Sequence, residues 1–215
     1  LSAREYDADM TGSNALIEAI RGAVIGDDEA VMGPFGLRRV TYADYTASGR
    51  SLTFIEDYIR EAVLPLYANT HTESSGTGLQ TSRFREDARA IIRESLGGTP
   101  EDHVVIFTGS GSTAAINKLV DVLNLRLPAD LTDRYGFLAS IPARERPVVF
   151  IGPYEHHSNE LPWRESIAGV VTTPEDADGR IDLAALEAAL VAHGDRPLKI
   201  GSFSAASHVT GILSD

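Results

Sequence analysis

Between residues 103 and 204 four short apolar runs recur: "HVVIFT" (103–108), "PVVFIG" (147–152), "GVVTT" (169–173) and "LKIGSFS" (198–204). A stretch of helical periodicity lies between each run and the next. This alternation restricts the fold more than any other feature. Parallel strands need a crossover of a dozen residues or more, usually a helix. Runs that are apolar at successive positions, and not only at alternate ones, belong to strands covered on both faces. The expected fold class is therefore α/β, a three-layer sandwich with a mostly parallel sheet. At 215 residues and 43% hydrophobic content the chain is long enough to bury a substantial core.

The crossovers read as helices at 112–125, at "SNELPWRESI" (158–167, interrupted by Pro162) and at "DLAALEAALVAHG" (182–194), the last behind a "DADG" turn. Residues 126–146 form an excursion from this core. The first half is less regular. Helices are expected at 13–26, 51–67 and 81–98, the last stopped by Gly97-Gly98, with a short strand and turn within 38–49. The polar stretch "ANTHTESSGTGLQ" (68–80) reads as a long loop of the kind that often carries function.

Charge and composition exclude several classes of function. The formal net charge of −12 repels a phosphate backbone, which argues against a nucleic-acid partner. With no cysteine, thiolate zinc sites, disulfides and a cysteine nucleophile are absent from these residues. No apolar run approaches the ~18 residues of a membrane span. The opening "LSAREYDADM" has no apolar core like that of a signal peptide, so a cytoplasmic setting is expected. The chain starts on Leu and stops at "GILSD", and both ends are expected to be cut.

The stretch "TGSGSTAAINK" (108–118) follows the first run and opens a helix. Unpaired N–H groups at a helix N-terminus attract phosphate. Gly109 and Gly111 let a ligand approach, and Ser110, Ser112 and Thr113 add hydroxyls. A compact capped turn without a ligand is the plain alternative. Gly109, Gly111 and Ala114 also match the dinucleotide fingerprint, which wants an acid about 20 residues on, at the end of the next strand. The acids at that distance, Asp130 and Asp133, fall in what reads as loop, and no Gly-Lys-Ser/Thr ending marks a P-loop. "PYEHHSNELPW" (153–163) and "SFSAASHVTG" (202–211) follow strands and so sit at the carboxyl edge of the sheet, where such folds bind ligands. Adjacent His156 and His157 point apart, and a metal reading with Glu155 or Glu160 has no supporting spacing. His71-Thr-Glu73 has the H-x-E form of zinc deaminases but not their cysteines.

Taken in order, these stretches resemble the class V, fold-type-I pyridoxal-phosphate (PLP) enzymes, in particular cysteine desulfurases and selenocysteine lyases. "TYADYTAS" is similar to the family's opening strand and turn, and "YANTHTE" to its Asn-x-His loop. "FTGSGSTAAIN" resembles its phosphate turn, and "EHHSNELPW" its Glu-His-His-x-Asn…Pro-Trp stretch. "DADGRIDLAALEAAL" and "SFSAASHVTGIL" resemble its D-G-x-I-D-L segment and its cofactor-edge strand and loop. The similarity runs from about residue 38 to 215.

The resemblance implies roles. Gly111 would give room, and Ser112 and Thr113 would hold the cofactor phosphate through backbone N–H groups and the Thr hydroxyl. His156 would stack on the pyridine ring. His208 would stand where the family usually has an Asn bonded to the phenolic oxygen. Ala47 and Ser48 would line the substrate pocket, with Asn69 and His71 near substrate or the dimer interface. The substrate would be a small amino acid and the intact protein a homodimer.

The resemblance also implies what is missing. The family's Schiff-base lysine, its pyridine-nitrogen aspartate and the desulfurase cysteine would all lie beyond Asp215. The two lysines present, Lys118 and Lys199, match neither role nor position. The chain is thus expected to be the N-terminal part of such an enzyme, inactive alone, with residues 1–50 a lead-in helix and strand and 51–215 a truncated large domain. Aminotransferase, epimerase or amino-acid lyase chemistry stays open. So does a stand-alone module that binds a phosphorylated ligand, and a NAD-type oxidoreductase survives on the glycine match alone.

Overall fold

The computed structural model describes residues 10–70 and 74–214. The chain forms two compact units that divide between Ile106 and Phe107.

In the first unit, α1 (Met10–Ala23) leads to an antiparallel hairpin of β1 (Ala30–Gly33) and β2 (Gly36–Arg39), in register Ala30↔Arg39. Pro34 presets φ at the second turn position and Gly36 takes φ +81°. The strand expected within 38–49 thus lies earlier. "TYADYTAS" is instead a turn, in which the Ala47 and Ser48 N–H groups donate to Asp44 O and the Tyr42 hydroxyl donates to Ser48 O at 2.6 Å.

The helix expected over 51–67 changes pitch as it runs. It is α in α2 (Thr53–Tyr58), π over Ile59–Val63 and 3₁₀ over Leu64–Leu66. Pro65 has no N–H for the carbonyl four residues back, so a regular ladder cannot continue through it.

Helix α3 (Gly76–Ser95) starts five residues before the expected 81, so the expected loop over 68–80 ends early. Ser75 is its cap and accepts from Gly78 N, which offsets the poor helix propensity of Gly76 and Gly78. Its end matches expectation. Gly97 takes φ +73°, Gly97 N donates to Glu94 O and Gly98 N to Arg93 O, the two bonds of a Schellman motif.

The second unit holds the parallel sheet. Strand β3 (Val148–Ile151) lies between β4 (Gly169–Thr172) and β5 (Lys199–Ser202), with Val148 opposite Gly169 and Lys199. Helices α4 (Gly111–Val122) and α5 (Ala129–Tyr135) precede the sheet, α6 (Leu161–Arg164) joins β3 to β4, and α7 (Leu183–Ala192) joins β4 to β5. All four residues of β3 are buried.

Successive side chains of a strand face opposite ways. Val149 and Ile151 pack with Val120, Leu125 and Trp163, while Phe150 meets His193, just past α7, edge-on at 5.9 Å. Asp182 caps α7 by accepting from Ala185 N at 3.0 Å. The "DADG" turn is held by Asp176, whose carboxylate accepts from Asp178 N and Arg180 N.

Two expectations need correction here. "HVVIFT" forms no strand, and Val104 and Ile106 stay 79% and 55% exposed. Its composition suits a strand, but among the described residues it pairs with no other strand. The helix expected over 158–167 is broken just ahead of Pro162 into a 3₁₀ turn over His157–Asn159 and the short α6, and Pro162 sits in the first turn of α6, where no N–H is needed. Among the described residues no helix is long and apolar enough to cross a membrane.

Candidate active site at the carboxyl edge of the sheet

All three strands are parallel, so Ile151, Thr172 and Ser202 end at one edge of the sheet. The loops after β3 and β5 meet there, joined by the start of α4. The Ser112 and Ser158 hydroxyls are 3.2 Å apart, and Ser158 Oγ is 2.9 Å from His156 Nδ1. Ser158 N also donates to that nitrogen at 3.1 Å. A ring nitrogen that accepts an N–H carries no proton, so neutral His156 holds its proton on Nε2. The His208 ring stands edge-on to His156, with centroids 4.8 Å apart and planes at 86°. The structure therefore brings Ser112, His156 and His208 together. Ser158 is the link that sequence reasoning missed.

Thr113 follows Ser112 in the first turn of α4, and its carbonyl accepts from Asn117 Nδ2. Ser110, at the cap position, makes no side-chain bond to the first N–H groups of α4. Gly111 has φ +65°, and no atom beyond its chain neighbours and its own helix backbone lies within 4 Å of where its Cβ would be. The helix thus begins with uncapped N–H donors, a positive dipole end and open space in front of the backbone, an arrangement suited to an anion.

Glu155 is the second element missed. Its Oε1 accepts from Gly152 N (3.2 Å) and Ser204 N (2.8 Å). Its Oε2 accepts from Asn159 Nδ2 (2.7 Å) and Ser204 Oγ (2.5 Å). Asn159 also reaches Ser202 O, and its Oδ1 accepts from Ser202 Oγ and from Nε1 of fully buried Trp163. The Ser202 and Ser204 partners are more than forty positions away in the chain, a distance at which no sequence pattern reveals pairing. Only the Asn159-x-x-x-Trp163 spacing was a usable signal.

Glu155 is thus occupied by protein donors and Glu160 by Arg164 at 2.6 Å, which removes the support for a metal reading. Among the described residues no group of three or more ligating side chains is placed to hold a metal ion. Asp130 and Asp133 lie on α5 and not at a strand end, so the acid a dinucleotide site requires is not where that reading wants it. Ala47, Ser48 and Asn69 are exposed residues of the first unit, and His71 lies outside the described residues. Lys199 is at the opposite, amino end of β5, where Nζ donates to Gly194 O and Arg196 O at 3.1 Å. Lys118 is exposed on α4, seven residues past Gly111.

Strand ends that present an anion-ready helix start beside an imidazole pair match the place where open α/β sheets bind ligands. The chain belongs to the Aminotransferase class-V family, matched over residues 41–215. The enzymes of that family are generally PLP-dependent. No curated protein matches the chain.

The residues fit that cofactor. Uncapped N–H groups and the Thr113 hydroxyl suit its phosphate, and an exposed imidazole whose orientation is held by Ser158 suits its ring.

Proposed function

We propose that this chain forms the phosphate-holding and ring-holding wall of a PLP-dependent enzyme that acts on an amino acid, first as a cysteine desulfurase or selenocysteine lyase and otherwise as a class V aminotransferase. The observation that carries the reading is the chain of contacts from Ser112 through Ser158 to His156 and His208, beside the uncapped start of α4. Gly111, Ser112 N–H and the Thr113 N–H and hydroxyl would hold the phosphate. His156 would lie against the ring and His208 at its rim. The cofactor would supply an electron sink for the bond broken at the substrate's α-carbon.

Ala47, Ser48, Asn69 and His71 are assigned to the substrate pocket or to the interface of a homodimer, in a cytoplasmic protein. The large domain, from about residue 51, would be a three-layer sandwich; α4 against Val149 and Ile151, and His193 against Phe150, support it.

With Lys199 at the far end of β5 and Lys118 along α4, these 215 residues would bind the cofactor without a covalent link. The test is to mix the chain with PLP, treat with borohydride and map the label by mass spectrometry. Reversible binding without a stoichiometric lysine adduct is expected. Stoichiometric labelling of Lys118 or Lys199 overturns the assignment. The placement of those lysines also supports a second reading, a module that binds a phosphorylated ligand without chemistry. Equal affinity for inorganic phosphate and PLP would favour it.

A further inference from the structure

We infer that Glu155 is a positioning residue, which sets the separation of the His156 and His208 rings by fastening the base of the loop that carries His208. The inference rests on the PLP reading of this site and adds to it a residue that touches neither cofactor nor substrate.

The loop from Ala205 to Ser214 is tied mainly to itself. Ser207 N donates to Ile212 O, Gly211 N to Ser207 O and Ser214 N to Ala205 O. The Ser207 hydroxyl accepts from Val209 N and Thr210 N. A loop closed in this way depends on its base for its position.

The base is Ser204. Its N–H and hydroxyl both donate to Glu155, one to each carboxylate oxygen. Glu155 directly precedes His156, so a single carboxylate joins the two histidine-bearing segments. The tether from Tyr154 OH to Ser214 Oγ at 3.1 Å, with Ser214 Oγ donating to Ser204 O, closes the other side of the base. Space is reserved for the carboxylate as well: a Cβ on Gly152 would stand 2.7 Å from Glu155 Oε1.

The chemistry calls for a carboxylate at this point. Four donors converge on two oxygens, and an ionised carboxylate only accepts. A glutamine offers one oxygen and one NH₂. If its oxygen takes the two backbone N–H groups, its NH₂ faces the Asn159 NH₂. Flipping Asn159 moves the conflict to Trp163 Nε1–H. Either way one donor meets another, and the base of the loop shifts.

The experiment uses the 215-residue chain with ¹⁵N,¹³C-labelled histidine and no added cofactor. In the wild type, nuclear Overhauser effects between the His156 and His208 ring protons are expected. In E155Q they should fall at least about twofold, while the amide shifts of Val148–Ile151 stay unchanged; because the effect falls with the sixth power of distance, a loss of that size needs an increase of only a few tenths of an ångström. S204A, which removes one donor and keeps the carboxylate, should show the same change more weakly and decides the question if E155Q does not fold. Unchanged cross-ring signals in folded E155Q, or in S204A where E155Q does not fold, overturn the inference.

A parallel PLP titration separates the two claims. A tenfold or so weaker affinity in E155Q than in wild type supports the positioning role. Failure of the wild type to bind PLP at all overturns the functional reading, whatever the ring signals show.

Discussion

Ser158 is a small, nearly buried residue on which the geometry of the site turns. Its backbone N–H orients His156, and its hydroxyl engages Ser112. On the proposed PLP reading, Ser112 and Thr113 contribute unequally. The Ser112 hydroxyl already has a partner, whereas the Thr113 side chain lies in the first turn of α4 beside uncapped N–H groups. Thr113→Val should therefore weaken PLP binding by about tenfold, the size of one hydrogen bond to a charged group. Ser112→Ala, which keeps the backbone donor, should weaken it by no more than about threefold. A fluorescence titration of each variant with PLP measures both. Equal losses would mean that the Ser112 hydroxyl turns to the phosphate and away from Ser158.

The helices of the second unit differ in how they start, and the difference is measurable. Asp182 caps α7 through its side chain, whereas Ser110 does not cap α4. Asp182→Ala should cost about 1 kcal/mol in urea denaturation, and Ser110→Ala close to nothing. A comparable loss in both would show that Ser110 caps after all.

The same contrast explains what could be read from the chain beforehand. The α7 start was legible because its cap and its turn are local, as were the Gly97-Gly98 stop of α3 and strands β3, β4 and β5. The start of α3 was not, because the Ser75 cap outweighs two glycines that argue against a helix. Nor was the fate of "HVVIFT", since strand formation depends on a neighbour and not on composition alone. In the site, Ser112, His156 and His208 stand in motifs that the sequence displays. Glu155 and Ser158 join these motifs to partners 46 to 49 residues away, which only the folded chain brings close.

At the scale of the whole molecule, burial is uneven. Among the described residues the buried hydrophobic side chains are Ala23 in the first unit and Val120, Leu125, Val148, Val149, Phe150, Ile151 and Trp163 in the second. Local opening is governed by buried apolar contact, so amide exchange should be slowest in β3 and faster throughout α2 and α3. Hydrogen-exchange mass spectrometry checks this; α3 peptides as protected as Val148–Ile151 would contradict it.

The positions of the lysines have a practical use. Lys199 lies about 10 Å from the carboxyl end of its strand, and Lys118 about 10 Å along the helix from Gly111. Amine-reactive dyes or a sensor surface could therefore be coupled through lysine away from the strand-end residues, in the same way for the wild type and for each variant titrated.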